Sequence, residues 1–175
     1  MSRWIAAAAA MLLIGVAGMF LLSVMAPAPG DLGVRDDRLA ACPASPNCVC
    51  SQSSDDSEHW IAPLTVNGDV SRAMERLRTV ILETPRTVVT EESADYIRVE
   101  FRSAFFRFVD DAEFWLEPES RRIHLRSASR AGHSDLGVNR KRAERIRRAF
   151  VQVDRSASDP LEGATGDVRK AAGSQ

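Results

Sequence analysis

All three cysteines of the chain lie within nine positions, in the segment CPASPNCVC that begins at Cys42. Cysteines this close together can form a disulfide, bind a metal, carry thiol redox chemistry or accept a lipid. The residues between Cys42 and Cys48 include two prolines and an asparagine, which stiffen a tight loop and reduce the entropy lost when a disulfide closes it. These residues favour a Cys42–Cys48 disulfide formed in an oxidising compartment. No role is assigned to Cys50.

The alternatives to a disulfide stay open at this point. The spacing C-x5-C-x-C followed by His59 matches no common zinc pattern, and neither a metal nor a cofactor is predicted. A redox pair of the C-x-C type would lack the strand-then-helix context that activates a thiol. The sequence LAAC, which ends at Cys42, is similar to a lipoprotein processing box, but charged residues separate it from the apolar leader.

The amino-terminal segment predicts a membrane helix. Residues 4–25 carry no charged side chain, and a helix of that length would extend roughly 33 Å, enough to cross a bilayer. Residues 1–3, with Arg3 as their basic side chain, would remain in the cytoplasm. We therefore expect a single-pass anchor in the inner membrane of a bacterium, with the carboxyl-terminal domain in the periplasm. A cleaved signal segment, which would release a secreted domain, is the alternative.

The rest of the chain divides into a linker (26–41), one domain (42–153) and a disordered tail (154–175). The domain contains an amphipathic helix between the cap residue Asp69 and Pro85, two β-hairpins whose residues alternate in polarity, and a helix that starts near Asp135. This order predicts a two-layer α+β fold, with a four-stranded, mainly antiparallel sheet and both helices on one of its faces.

The other face of this sheet is predicted to be open and charged. Alternating arginines and carboxylates either solvate such a face or hold a small anion, since guanidinium N–H groups pair with carboxylate and phosphate oxygens. The net charge of −1 gives no basic excess for nucleic acid, so nucleic acid is not an expected partner. The candidate contacts for an anionic ligand are Arg102, Arg126, Arg130, His133 and Asn139.

An enzyme of unknown type is the alternative function. It would use Asp110, Asp111, Glu113 and His133, with or without a divalent metal. The case for it is weak, because the adjacent residues Asp110 and Asp111 point to opposite faces of a strand. The consecutive residues at 133–135 also lack the convergent geometry of a hydrolase triad.

Three segments of the domain together resemble a known family. They are CPASPNCVCSQ, FRSAFFRFVDDAEFWLEP and RSASRAGHSDLGVNRKRAERIR, which begin at Cys42, Phe101 and Arg126. They resemble the domain of unknown function 1499, found in bacteria and plastid-bearing organisms, over about residues 40–152. The resemblance implies that Cys42 and Cys48 are the paired cysteines and that the protein is exported or membrane-associated. Serine is usual in the family at the position of Cys50.

The resemblance brings no settled activity. The combined expectation is therefore a membrane-anchored extracytoplasmic domain, without an assigned catalytic role, that binds an envelope protein or a small anionic ligand. The membrane itself would be a partner through the amino-terminal helix.

Overall fold

The computed structural model describes residues 2–158, including every side chain in that range except those at positions 2, 19, 22, 24 and 158. These residues form three α-helices and one sheet of six strands. The helices are α1 (Ser2–Met25), α2 (Ala73–Leu82) and α3 (Val138–Ser158), and the strands are β1 (Cys48–Cys50), β2 (Leu64–Thr65), β3 (Thr87–Glu92), β4 (Tyr96–Arg102), β5 (Val109–Glu117) and β6 (Arg122–Ser129).

The strand order is β1-β6-β5-β4-β3, with β2 also paired to β6, and all of these pairs are antiparallel. The prediction of four strands is therefore wrong. The two additional strands pair with opposite ends of β6, β1 with residues 126–128 and β2 with residues 122–123. Strands of three and two residues are too short to show an alternating pattern, and they form because β6 offers unpaired backbone groups along its free edge.

Helices α2 and α3 cover one face of the sheet, which we call the inner face. Asp69 caps the 3₁₀ turn that leads into α2, where its carboxylate accepts the N–H of Ser71 at 2.9 Å. The apolar sides of α2 and α3 then pack on the inward-pointing residues of the strands. The core includes Leu77, Ile81, Ile146, Phe150, Ile97, Val99, Phe114 and Leu125.

The prediction of a transmembrane anchor needs correction. Across the described part of the chain, the structure contains no helix with both the length and the apolarity needed to cross a membrane.

The carboxyl-terminal helix continues past the predicted start of the tail. Asp154 is fully buried in α3, where its carboxylate accepts a hydrogen bond from Arg76 at 2.7 Å and from the backbone N–H of Asn67 at 2.6 Å. The helix runs on to Ser158. The rest of the predicted tail, residues 159–175, lies outside the described residues.

The opposite, outer face of the sheet is covered by residues 30–41, which we call the strap. Leu39 and Val34 pack against Tyr96 and Trp115 on the sheet. The strap turns tightly, since residues 36 and 37 both have positive φ and Arg35 exchanges two backbone hydrogen bonds with residue 38, at 2.9 and 3.0 Å. The strap encloses charged side chains that the sequence predicted to be open to solvent.

Candidate functional site

The side chains beneath the strap form a row across four strands. Cys50 of β1 is opposite Arg126 of β6, Arg126 is opposite Glu113 of β5, and Glu113 is opposite Arg98 of β4. Directly opposed residues of antiparallel strands share a face, with Cβ atoms about 4.5–5.5 Å apart. The sheet register therefore brings a thiol, a guanidinium and a carboxyl group into one line.

Glu113 is fully buried at the centre of this row. Its Oε1 accepts the backbone N–H of Gly33 in the strap at 2.6 Å and the hydroxyl of Tyr96 at 2.8 Å. Gly33 has a φ of 105°, a conformation that favours glycine. Burial raises the pKa of the Glu113 carboxyl, although the bonds from Gly33 and Tyr96 and the charge of Arg126 act in the opposite direction. The carboxyl therefore retains its proton at a higher pH than an exposed glutamate.

Arg126 is only 4% exposed. Its Nη1 lies 3.6 Å from Oε2 of Glu113, which is an ion pair too long to be a hydrogen bond. Among the described residues, neither Nε nor Nη1 of Arg126 has a hydrogen-bond partner, and neither does Oε2 of Glu113. Two of the three nitrogens of this buried guanidinium thus lack an acceptor among the described residues.

Arg130, just beyond the end of β6, has a different environment. It donates to both oxygens of Asp111 at 2.7 Å and to Glu100 at 2.5 Å. Glu100 also accepts from Arg102 at 2.8 Å. Burial opposes ionisation of Glu100, but the bonds from the two arginines outweigh it and lower the pKa of that carboxyl. This part of the outer face is a network of opposite charges joined by short hydrogen bonds, in which Nε of Arg102 has no partner among the described residues.

A second polar cluster lies at the start of α3, on the inner side of the sheet. Asp110 accepts from Arg142 of α3 and from the hydroxyl of Ser129, both at 2.5 Å. Asn139 donates to the backbone oxygen of Asn47 at 3.2 Å and to Oδ2 of Asp135 at 2.8 Å. The three segments that resembled the family's signatures meet here. The cluster joins the cysteine loop, the strands and α3 into one unit.

The backbone N–H groups at the start of α3, which could hold an anion, are occupied by a side chain of the protein itself. Asp135 accepts the backbone N–H groups of Gly137 at 2.9 Å and of Asn139 at 2.7 Å, which are the donors that such a site would offer. Asp135 therefore caps the helix with its own carboxylate.

The predicted ligand contacts fall in different parts of the molecule. Arg102 and Arg130 meet at Glu100, Arg126 lies under the strap, and Asn139 belongs to the inner cluster. His133 is exposed in the loop before α3. The ligand set remains a prediction; of its members, Arg126 has two buried nitrogens without a partner among the described residues and Arg102 has one.

The residues of the enzyme alternative are also divided. Asp110 is on the inner side with Arg142, whereas Asp111 and Glu113 are on the outer face beside Arg130 and Arg126. Within residues 2–158, the structure contains no group of three or more His, Cys, Asp or Glu side chains that could hold a metal ion.

A pocket of about 500 Å³ opens beside this row, between the strap and the cysteine loop. Cys42 and Cys48 form a disulfide with a Cα–Cα distance of 5.7 Å, as the sequence predicted. Cys50 is a free, buried thiol in the same pocket lining as Cys42. Cys50 is the register partner of Arg126 in the sheet, and Arg126 itself is not among the residues that line the pocket. The lining also includes Arg38, Leu39, Gln52, Ser53, Asp55 and Asp56.

A family model described as a protein of unknown function, DUF1499, matches residues 38–150. The chain belongs to the DUF1499 family. The match confirms the resemblance found in the three sequence segments, and it begins and ends within about two residues of the expected limits. Comparisons with curated proteins and with solved structures found no match. The chemistry of this DUF1499 domain therefore has to be inferred from its own residues.

Several residues of the site had no role in the sequence analysis. Tyr96 and Gly33 are the hydrogen-bond donors to Glu113, and Leu39 holds the strap on the sheet. One signal was present in the sequence, because Val34 and Leu39 are apolar residues inside a charged segment. Their positions could have indicated that the strap packs on the domain.

Proposed function

We propose that this DUF1499 domain binds a small ligand that carries a carboxylate or a similar oxyanion, and that Arg126 receives this group beneath the strap. One observation carries the proposal: Arg126 is 4% exposed, yet its Nε and Nη1 find no hydrogen-bond partner among the described residues. A buried donor left unsatisfied costs about 1–3 kcal/mol, and more when it is charged. A carboxylate supplies acceptors in the plane that a guanidinium needs.

The raised pKa of Glu113 supports an anionic ligand. Burial raises the pKa of Glu113, so protonation of this residue leaves Arg126 without its counter-charge. A protonated Glu113 also becomes a hydrogen-bond donor at its unpartnered Oε2. An incoming oxyanion would accept from both residues, so binding should be accompanied by proton uptake and should strengthen as the pH falls.

The neighbouring pocket is lined by Cys50, the strand partner of Arg126. Its volume of about 500 Å³ is within the range of about 300–1,000 Å³ that is typical of small-molecule sites. Arg38 of the strap lines this pocket and adds a cation to it. The same chemistry would also accept a carboxylate side chain of an envelope protein.

The disulfide supports a location outside the cytoplasm, which in a bacterium is the periplasm. Disulfides persist in oxidising compartments and are rare where thiols are kept reduced. The Cys42–Cys48 bridge borders the pocket, so the same compartment would supply both the oxidant and the ligand.

The test is a comparison of Arg126→Gln with Arg122→Gln, an exposed arginine at the start of the same strand. Disulfide-intact protein is titrated with acetate, succinate and inorganic phosphate at pH 5 and pH 8, with native mass spectrometry and thermal denaturation as readouts. We expect at least one probe to bind the wild type and Arg122→Gln, with an affinity at least tenfold lower in Arg126→Gln.

Two results would count against the proposal. One is equal binding by Arg126→Gln and the wild type. The other is a wild type that binds no probe and carries no co-purified small molecule in its native mass spectrum. If instead the protein captures only a carboxylate-bearing peptide, the ligand is an acidic segment of a protein.

A further inference from the structure

His59 is buried between two oxygen atoms that belong to different segments of the chain, and it is only 4% exposed. Its Nδ1 lies 2.5 Å from Oδ2 of Asp56, in the acidic turn formed by residues 53–58. Its Nε2 lies 3.1 Å from the backbone oxygen of Ser45, in the cysteine loop formed by residues 42–48. A neutral imidazole has one N–H and one lone pair, so it can donate to one of these oxygens but not to both. Both contacts are hydrogen bonds only when the ring is an imidazolium.

The two oxygens that face the ring are both acceptors. A backbone carbonyl has no proton to donate, so Ser45 can only accept. The other carboxylate oxygen of Asp56, Oδ1, accepts the backbone N–H groups of Glu58 at 3.1 Å and of His59 at 3.3 Å. The hydrogen bond from the His59 ring is the main cause that lowers the pKa of the Asp56 carboxyl, and the backbone bonds add to it. Asp56 is therefore a charged acceptor near neutral pH.

The other ionisable groups around the ring come from three elements. Glu58, in the acidic turn, adds a negative charge that favours the imidazolium. Arg140 of α3 donates at 2.7 Å to the backbone oxygens on either side of His59, and Cys50 of β1 donates its backbone N–H to the oxygen of His59 at 2.9 Å. The cysteine loop contains no ionisable side chain besides its bonded cysteines. The hydrogen bond to Asp56 outweighs burial and raises the pKa of the His59 ring above its usual value of 6.5.

We infer that His59 is a pH-dependent switch that connects the cysteine loop to the acidic turn. The protonated ring donates to both segments. When the ring releases its second proton to solvent, the remaining N–H stays on Asp56, because a hydrogen bond to an ionised acceptor is about twice as strong as one to a neutral acceptor. Nε2 then presents a lone pair to the backbone oxygen of Ser45, and the contact becomes repulsive. The loop is released at Ser45, whereas the turn keeps its histidine.

The cysteine loop has a second attachment, which does not titrate. The side chain of Asn47 donates to the backbone oxygen of Gly132 at 2.6 Å. The backbone oxygen of Asn47 accepts from the N–H of Ser129 at 3.1 Å and from the side chain of Asn139 at 3.2 Å. The loop is thus held permanently at Asn47 and in a pH-dependent way at Ser45.

The switch acts on the lining of the pocket beside the strap. Cys42, at one end of the cysteine loop, and Asp56 both line this pocket. The protonated ring of His59 therefore ties two segments of the lining together. Its stabilising effect is complete below pH 6.5 and is lost as the pH rises through the raised pKa of the folded protein. The switch requires no bound oxyanion, so it goes beyond the proposed function and does not rest on it.

The first experiment measures the protonation of His59. Two-bond ¹H–¹⁵N correlations distinguish an imidazolium from each neutral tautomer, and they are recorded on the full-length, disulfide-intact protein from pH 5 to pH 9. We expect both ring nitrogens of His59 to be protonated at pH 6, with Nε2 losing its proton at a midpoint above pH 6.5. Asp56→Asn should lower this midpoint, and Asp55→Asn, at the exposed neighbouring aspartate, should lower it less. A neutral ring at pH 6, or equal midpoints in the two variants, would overturn the inference.

The second experiment tests whether this proton controls the cysteine loop. Amide hydrogen exchange of residues 44–48 is measured on both sides of the His59 midpoint and corrected for the intrinsic effect of pH on exchange. In the wild type and in Asp55→Asn, we expect the protection of these amides to fall as the pH rises through the midpoint. His59→Gln should show no such step. Constant protection across the midpoint in the wild type would overturn the inference.

A variant that fails to fold does not weaken this test. If His59→Gln is unfolded, the wild type and Asp56→Asn decide the question. The fall in protection should then move to the lower midpoint of the His59 ring in Asp56→Asn. A fall that stays at the wild-type pH in this variant would show that another group controls the loop.

Discussion

Arg126 and Arg130 lie four residues apart on the outer side of the same sheet, but their surroundings differ. Arg130 has three short hydrogen bonds to Asp111 and Glu100. Arg126 has one long ion pair to Glu113, and two of its nitrogens have no partner among the described residues. Arg130 links β4 and β5 through its hydrogen bonds to Glu100 and Asp111. Arg126 keeps two nitrogens that can still donate to a ligand. The contrast separates the parts of a charged surface that stabilise the domain from the part that can take a ligand.

The largest expected effect follows from breaking the hydrogen bonds of Arg130. Arg130→Met leaves the carboxylates of Asp111 and Glu100 without their shared partner, and Asp111 is nearly fully buried. Removing one member of a buried ion pair typically destabilises a protein by about 3–5 kcal/mol. We expect a loss of this size in the free energy of unfolding, measured by urea denaturation at pH 7. A loss below about 1 kcal/mol would show that the two arginines do not differ as described.

A pH series on Glu113 gives an effect of intermediate size. Because the folded-state pKa of Glu113 is raised above its usual value of 4.5, the native state retains a proton that the unfolded state releases. The stabilisation is complete below about pH 4.5 and is lost as the pH rises through the raised pKa. Glu113→Gln mimics the neutral acid, so its stability relative to the wild type should increase with pH across this window. Each unit of pKa shift corresponds to about 1.4 kcal/mol.

Glu117→Gln is the matched control for this series. The pKa of Glu117 is lowered, chiefly by a hydrogen bond from Ser120. Its stabilisation is present above the usual pKa of 4.5 and is lost as the pH falls through the lowered value. The stability of Glu117→Gln relative to the wild type should therefore decrease as the pH rises, with a slope opposite to that of Glu113→Gln. Parallel slopes for the two variants would contradict the assignment of Glu113.

The smallest expected effect is that of Arg126→Met. This variant removes buried donors that have no acceptor, and burial, which raises the pKa of Glu113, favours the neutral carboxyl further once the charge of Arg126 is gone. Arg126 forms no hydrogen bond with Glu113, so its removal breaks none, unlike the removal of Arg130. We expect the free energy of unfolding at pH 6 to change by no more than about 1 kcal/mol in either direction. A loss comparable to that of Arg130→Met would assign Arg126 to the structural framework instead.

The elements with regular periods could be predicted from the sequence. The helix after Asp69, the strands of both hairpins and the helix after Asp135 each turn apolar residues towards the core, so these residues recur at the intervals of a helix or a strand. The strands β1 and β2 could not be predicted in this way. They are two or three residues long and depend on the edge of β6, which is a tertiary effect.

The candidate site could be predicted only in part. The alternation of polar and apolar residues in β5 and β6 predicts that Glu113 and Arg126 lie on the same face of the sheet. It does not predict that both side chains are buried. Burial depends on the strap, whose sequence is charged and irregular and therefore predicts a linker. Cys50 was identified as the odd cysteine, yet its position opposite Arg126 requires the pairing of β1 with β6.

The buried carboxylate near the end of α3 sets a limit on how far the protein can be shortened. Asp154 is fully buried and receives the guanidinium of Arg76, which is itself only 9% exposed. A gene trimmed to stop after Val153 would leave that guanidinium enclosed and without this counter-ion. It would also leave the N–H of Asn67 without its acceptor. A shortened version intended for crystallisation or partner screening should therefore retain the turn of helix that follows the limit of the family match.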